Sequence, residues 1–159
     1  MTDTAATAAA CIDAALAIIL EKEDELARLD SVAGDGDHGA GMARGFRAAA
    51  AADRDGTPGQ VLAKAGAAFS NAAGGASGAL VGMFIMTIGN NLPGDAPDAK
   101  AVHTALSAGV GALMKLGKAQ VGDKTMIDTL DPFVKAYGDS AAAGASISAA
   151  WQAALPAAE

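Results

Sequence analysis

The feature of this sequence that most constrains its fold is an apolar pattern with helical spacing along nearly the whole chain. Alanine is very abundant, β-branched and aromatic residues are sparse, and no segment alternates apolar and polar residues with a period of two. In the first segment the apolar positions follow the i, i+3, i+4 spacing of one helical face, at Ile12, Ala15, Leu16, Ile19 and Leu20. Since alanine also has the highest helix propensity of any residue, the pattern predicts an all-α protein.

Seven helices are predicted, and no linker is long enough to divide the 159 residues into two domains. Thr57 before Pro58, Asp98 and Thr125 are typical N-cap residues and mark three of the helix starts. Short connections favour an antiparallel, up-and-down arrangement, in which alternate loops lie at the same end. The loops after the first, third and fifth helices are therefore expected on one rim. The predicted helices cover about 3–26, 41–53, 57–73, 76–89, 98–116, 125–137 and 146–154.

Charge and composition exclude several classes of protein. A formal net charge of -7 and a pI of about 4.6 argue against a nucleic-acid-binding surface. The N-terminus lacks the basic segment of a signal peptide, and the most apolar run, 76–88, is too short to span a bilayer. The single cysteine, Cys11, excludes an intrachain disulfide and is predicted to be a small buried residue. We therefore expect a cytoplasmic protein that binds neither nucleic acid nor a membrane.

The first of three candidate motifs is acidic, with Asp30 followed by the run Gly34-Asp35-Gly36-Asp37-His38-Gly39. Three like charges within eight residues repel one another unless a cation or donor neutralises them. Hard carboxylate oxygens suit Mg²⁺ or Ca²⁺ better than Zn²⁺. An exposed acidic turn is the plain alternative, but three acids, glycines and a histidine exceed what a turn needs. The motif predicts a metal or phosphate site, with His38 as a phosphate contact.

The second motif is Gly74-Gly75-Ala76-Ser77-Gly78, at the start of the fourth predicted helix. Glycines before a helix leave free N–H groups at the positive end of the helix dipole, where anions bind. Close packing of small residues is an equally good interpretation of this motif alone. A Walker P-loop is excluded, because no Lys-Ser/Thr pair ends the motif and no strand precedes it. Ser77 is a candidate donor to a phosphate oxygen.

The third motif is Gly122-Asp123-Lys124-Thr125-Met126-Ile127-Asp128. A capped helix start with a charged turn explains it equally well. Lys124 either neutralises phosphate or pairs with Asp123 or Asp128 at the surface. Met126 either packs on an adenine ring or belongs to the core.

Taken together, the three motifs resemble the nucleotide-binding subunit or domain of dihydroxyacetone kinases, the DhaL or DAK2 family, over residues 5–155. The resemblance implies a single domain over 1–159, an antiparallel barrel of eight helices of which about seven are present here, with the nucleotide at one mouth. Two Mg²⁺ ions would be bound by Asp30, Asp35 and Asp37. Gly117 and Met126 would lie near the adenine and ribose. The residues that the resemblance assigns to ADP or ATP are His38, Gly39, Gly41, Ala76, Ser77, Gly117, Thr125 and Met126.

The chemistry implied by the resemblance is phosphoryl transfer to a hydroxyl of a short ketose. In this family the ketose is held by a separate DhaK-like partner, so the chain is expected to be active only with that partner, and none of its residues is predicted to be catalytic. The phosphoryl donor is either soluble ATP or a phosphotransferase-system protein that recharges bound ADP. The resemblance also leaves a homodimer open.

Two departures from the family pattern affect these expectations. Many members have asparagine at the position of Gly41, and the Gly41-Met42 form found here resembles relatives that act on other ketoses such as tetroses. The chain ends at Glu159, before the arginine-containing segment and the last helix expected of the family, so the domain is predicted to be incomplete and open along one side. Three alternatives remain: a non-catalytic fragment that binds Mg²⁺ and ADP and docks to a partner, the nucleotide domain of a fatty-acid kinase, and a Ca²⁺-binding or purely structural bundle.

Overall fold

The computed structural model describes residues 3–159 and contains eight α-helices, a short 3₁₀ helix and no strand within that range. The all-α prediction is confirmed. The helices are α1 (Asp3–Glu21), α2 (Glu23–Asp30), α3 (His38–Ala50), α4 (Pro58–Ala73), α5 (Gly75–Asn91), α6 (Ala99–Gly117), α7 (Ile127–Ala142) and α8 (Ile147–Ala154), followed by the 3₁₀ helix Leu155–Ala158.

Side-chain caps fix the predicted starts of α4 and α6. Thr57 accepts a hydrogen bond from the Gln60 backbone N–H at 3.2 Å, and the Gln60 side chain accepts one from the Thr57 N–H at 3.0 Å. This reciprocal pair is a capping box, and Pro58 follows it as the first helical residue. The Asp98 carboxylate accepts from the Ala101 N–H at 2.8 Å and starts α6. Of the three predicted caps, those at Thr57 and Asp98 are confirmed, and the one at Thr125 is not.

The first, second and sixth predicted helices need correction. The first is interrupted at Lys22 and continues as α2, which has no buried residue. The second runs from His38 to Ala50 rather than over 41–53, and its second residue, Gly39, is buried against the backbone of Glu23. The sixth runs on to Ala142 instead of ending at residue 137.

Consecutive helices pack side by side from α3 to α8, and α1 and α2 lie against the beginning of this row. α1 contacts α3 and α4, while α2 contacts mainly α3. Because neighbours in the chain are neighbours in space, the α2–α3, α4–α5 and α6–α7 connections lie at the same end, as predicted. Within residues 3–159, α1 makes no contact with α7 or α8, so the described helices form an open array.

The closest pair in the array is α4 and α5, which meet along four glycines. A Cβ atom at Gly66 would lie 2.8 Å from the Gly82 carbonyl oxygen, and one at Gly89 would lie 2.5 Å from the Gly59 carbonyl oxygen. Real Cβ atoms essentially never come this close to backbone. The two backbones therefore touch directly, and this contact sets the position of the first turn of α5.

α5 also separates the two main core clusters. The α3/α4 cluster is built around Phe46 and Phe69, whose rings meet edge to face with centroids 5.0 Å apart. The α6–α8 cluster includes the fully buried Tyr137. α5 contributes Val81 and Ile85 to the first cluster and Leu80, Phe84 and Ile88 to the second.

The predicted burial of Cys11 is wrong, because this thiol is exposed on the outer face of α1. The inner face of α1 buries small residues and Ile12 instead. By length and composition alone, α1 is the one helix within the described range that could cross a membrane. A single helix of this kind is weak evidence, since core helices of soluble proteins and signal sequences meet the same criterion.

Candidate functional site

The three aspartates of the first motif converge at the α2–α3 connection. Asp30 is the last residue of α2, and Asp35 and Asp37 lie in the loop that leads into α3. One carboxylate oxygen from each lies within 4.8 Å of the others, with Asp30 half-buried and the other two exposed. An all-oxygen donor set of this size fits Mg²⁺ or Ca²⁺. Without a cation, three negative charges at this separation destabilise the loop.

The backbone of the loop orients these carboxylates. The Gly36 N–H donates to Asp30 Oδ2 at 2.8 Å, and the Asp37 N–H donates to Asp35 Oδ1 at 3.3 Å. Gly36 has a φ of +80°, a conformation that glycine adopts without strain. A Cβ at Gly34 would overlap the Asp30 carboxylate. Glycine is thus required at both positions for the loop to fold back on Asp30.

The first and second motifs meet through two side chains. His38 is the first residue of α3, Ser77 lies in the first turn of α5, and Ser77 Oγ is 3.4 Å from His38 Nδ1. Gly74 and Gly75, with φ of +74° and +63°, form the turn before Ser77. Ala76 is exposed next to this turn. Two helix starts, α3 and α5, therefore face each other across His38 and Ser77.

Arg44 joins α3 to the end of α4, just before the turn into α5, and the sequence alone did not indicate it. Its Nη2 donates to the Ala73 carbonyl oxygen at 3.2 Å, across 29 positions of the chain. The backbone at Gly41 lies between them, since a Cβ there would be 3.5 Å from that oxygen and 3.7 Å from Nη2. The only signal in the sequence is spacing: His38, Gly41 and Arg44 recur every three residues, on one side of a helix.

The third motif is a loop organised by Asp128. Its carboxylate accepts hydrogen bonds from the Gly122 N–H at 2.6 Å and from the Thr125 N–H at 2.9 Å, and these donors lower the pKa of Asp128. Thr125 was predicted to cap α7, but it does not occupy the N-cap position. Met126 holds the N-cap position without a side-chain bond, and Thr125 Oγ1 accepts from the Ile127 N–H at 3.2 Å. Lys124 has no ion-pair partner among residues 3–159.

Three predicted nucleotide-binding residues line one small apolar pocket of about 110 Å³. They are Gly117, Thr125 and Met126, and the pocket wall on the α5 side is Leu80. The rest of the lining comes from Leu113, Ala119 and Ile127. This pocket attaches the third motif to α5, the helix whose first turn carries Ser77.

The predicted residues therefore form two groups that share α5. The acidic loop, His38, Gly39, Gly41, Ala76 and Ser77 belong to one group. Within the described range no helix contact joins α2 or α3 to α6 or α7, so the third motif is connected to the acidic loop through α5. A larger groove of about 470 Å³, lined by His103 and Lys100 on α6 and Lys135 on α7, contains none of the predicted residues. His103 is half-buried there, 3.3 Å from Ser107 Oγ.

Fold and site thus define an all-α domain with a candidate divalent-cation and anion site at one rim. The family model described as the DAK2 domain matches residues 32–159, which is most of the chain. The chain therefore belongs to the DAK2 domain family.

Known kinases resemble the chain over most of its length. L-erythrulose 1-kinase of Mycolicibacterium smegmatis is 43% identical over 152 residues, covering 89% of this chain and 26% of that kinase. The ADP-binding subunit DhaL of the PEP-dependent dihydroxyacetone kinase 1 of Listeria innocua is 35% identical over 121 residues, covering 74% of this chain and 61% of that subunit. The chain thus spans about a quarter of the erythrulose kinase.

A solved structure supports the fold. The dihydroxyacetone kinase of C. freundii superimposes on this chain with a TM-score of 0.69 in its native form and 0.64 in complex with AMP-PNP and Mg²⁺. The sequence identities are 30% and 29%, and each match covers 97% of this chain and 28% of that enzyme.

Proposed function

We propose that this chain is the Mg²⁺-dependent nucleotide-binding domain of a kinase that phosphorylates a hydroxyl of a short ketose. The observation that carries the proposal is the grouping of three carboxylates within 4.8 Å beside two helix starts that meet at His38 and Ser77. Cation ligands next to backbone N–H groups at helix starts suit a nucleotide's phosphates. The family and the AMP-PNP and Mg²⁺ complex of a related kinase support it.

Asp30, Asp35 and Asp37 are the residues that would hold magnesium, in our proposal as two ions. Magnesium supplies neutralisation of phosphate charge, which is the largest need of a phosphoryl transfer. The three aspartates contribute the oxygen ligands, and the Gly36 N–H orients Asp30 toward the other two. In this chain the acidic loop therefore acts by binding and orientation.

The phosphates are proposed to lie between α3 and α5. His38 and Ser77 are the side-chain donors, and the backbone at Gly39, Gly41 and Ala76 lies along the same two helix starts. The adenine and ribose are assigned to the apolar pocket lined by the other predicted residues, Gly117, Thr125 and Met126. Held in this way, the nucleotide is positioned by backbone donors and apolar contact, with no covalent step on the chain itself.

The ketose is proposed to be held by a separate DhaK-like subunit or domain. We favour a four-carbon ketose, because the similar kinase from M. smegmatis acts on erythrulose. Either ATP or a phosphotransferase-system protein that recharges bound ADP serves as phosphoryl donor. Phosphate transfer from ATP to L-erythrulose, on adding a ketose-binding domain to the chain, would distinguish this kinase function from a fragment that only binds ADP.

Replacing the proposed magnesium ligands tests the assignment directly. We expect D35N and D37N to lose Mg²⁺-dependent ADP binding by isothermal titration while remaining as helical as the parent, because each removes one ligand and one repulsive charge. D24N is the matched control, since Asp24 is an exposed carboxylate on α2 outside the group of three. Parental ADP affinity in D35N and D37N would show that these carboxylates bind no metal.

The remaining expectations concern assembly and location. A cytoplasmic protein without nucleic-acid partners stays a prediction from charge and composition. A homodimer stays open, and the exposed apolar side chains at both ends of the array, Ile18 on α1 and Trp151 on α8, give it a physical basis. Light scattering after gel filtration distinguishes a monomer from a dimer.

A further inference from the structure

Arg44 is a charged residue beside the candidate site that the proposed function does not use. Its guanidinium donates to the Ala73 carbonyl oxygen at 3.2 Å, and Ala73 is the last residue of α4. No carboxylate lies within ion-pair distance of Arg44 in the part of the chain that the structure describes. A cation at the carbonyl end of a helix is also favoured by the helix dipole. Arg44 is therefore directed at the end of α4.

The carbonyl that Arg44 holds comes just before the turn of the second motif. Gly74 and Gly75 both have positive φ, and a Cβ at either position would meet no atom within 4 Å. Side-chain packing therefore does not hold this turn. The first hydrogen bond of α5 follows, from the Gly78 N–H to the Gly74 carbonyl oxygen at 3.0 Å. The Arg44 bond thus fixes the chain immediately before an unpacked turn.

The same side of α3 also carries the proposed phosphate contact. His38, Gly41 and Arg44 follow one another at intervals of three residues, and all three lie against the end of α4 or the start of α5. Ser77 Oγ is 3.4 Å from His38 Nδ1 at one end of this row, and Arg44 bonds Ala73 at the other. These two contacts set the separation of α3 and the first turn of α5.

We propose that Arg44 is a positioning residue of the nucleotide site. Its bond to Ala73 holds the first turn of α5 where Ser77 and His38 contact the same phosphate group. This inference rests on the proposed function, and it assigns Arg44 no contact with the nucleotide. Its effect reaches the ligand through the Gly74–Gly75 turn.

The test compares three variants in Mg²⁺-ADP titrations. We expect R44M to bind about tenfold more weakly than the parent, the size of one lost charge-assisted hydrogen bond. R44K should recover most of the affinity, because a single donor to the carbonyl suffices. R47M, which removes the same charge from the same helix, should stay within about twofold, since Arg47 makes only an exposed 3.8 Å contact with Glu23.

Amide hydrogen exchange without nucleotide separates this inference from the proposed function. We expect faster exchange at residues 78–81, whose N–H groups make the first hydrogen bonds of α5, in R44M than in the parent and R47M, with an unchanged melting temperature. That result would support positioning even if the parent failed to bind Mg²⁺-ADP, which would contradict the proposed function alone. Parental exchange at 78–81 in R44M, an equal loss of affinity in R47M, or a general loss of folding in R44M would each overturn the role given to Arg44.

Discussion

At the scale of single residues, hydrogen bonds from backbone N–H groups fix the orientation of the acidic side chains in the candidate site. Asp128 accepts from two N–H groups of its own loop, and Asp30 accepts from the Gly36 N–H. The donors around Asp128 lower the pKa of its carboxyl, and in both loops the hydrogen-bonded carboxylate fixes the backbone around it. Hydrogen bonds from backbone N–H groups to a carboxylate therefore order the α6–α7 connection and orient Asp30, a proposed metal ligand.

The lowered pKa of Asp128 predicts how this loop responds to acid. A group whose pKa is lower in the folded state stabilises that state above its unfolded value, about 3.9, and this contribution is lost as the pH falls through the folded value. We expect the 122–128 loop to loosen in that acidic range and D128N to be loosened at every pH. Side-chain NMR titration tests this, and an Asp128 that titrates at or above the ordinary value would contradict it.

The site residues that could be predicted from the sequence are those that lie close together along the chain. Asp30, Asp35 and Asp37 lie within eight positions, so a short loop has to bring them together. Arg44 could not be found in this way, because its partner Ala73 is 29 positions away and is reached only once α3 packs beside α4. Cys11 was misjudged because alanine neighbours made both faces of α1 look apolar.

At the scale of elements, glycine spacing positions the helix that serves both halves of the site. Gly59 and Gly66 on α4 are seven residues apart, as are Gly82 and Gly89 on α5, so each helix presents its pair on one face. The caps at Thr57 and Asp98 were predictable from local chemistry. The interruption at Lys22 was not predictable in this way, because helical hydrogen bonds continue across it. The Lys22 N–H donates to the Ile18 carbonyl oxygen at 3.0 Å.

Filling the α4–α5 contact should separate these two helices. In G66A the new Cβ would lie 2.6 Å from the Met86 backbone nitrogen, which cannot move without the helix. We expect a loss of about 2–3 kcal/mol in the free energy of unfolding, as for other overpacked cores. G111A is the matched control, because a Cβ at Gly111 meets nothing within 4 Å. Urea unfolding measures both, and a G66A as stable as G111A would contradict direct backbone contact.

At the scale of the whole molecule, α5 joins two cores that share no other helix. Phe69 belongs to the α3/α4 cluster and Tyr137 to the α6–α8 cluster, while α5 has side chains in both. The all-α class and the up-and-down order could be predicted from periodicity and loop length, whereas the division of the first predicted helix at Lys22, which makes eight helices instead of seven, could not. The helix that separates the two cores could not be predicted, because its identity depends on the curvature of the array.

This arrangement predicts an order of local stability. Amides of α5 should exchange with solvent most slowly, because the helix is packed on two sides, and those of α2 should exchange fast, because it buries no residue. Native-state hydrogen exchange followed by mass spectrometry gives the order directly. Faster exchange in α5 than in α2 would contradict the central place given to α5.

The central claim, a magnesium-dependent nucleotide site at one rim, is tested most directly by titrating ADP into the purified chain with Mg²⁺ and again with EDTA. We predict binding with Mg²⁺ that disappears with EDTA, because three aspartates without a cation repel the phosphates. Equal binding in both conditions would contradict the metal site. No binding in either, by a chain that circular dichroism shows to be helical, would contradict the nucleotide site itself.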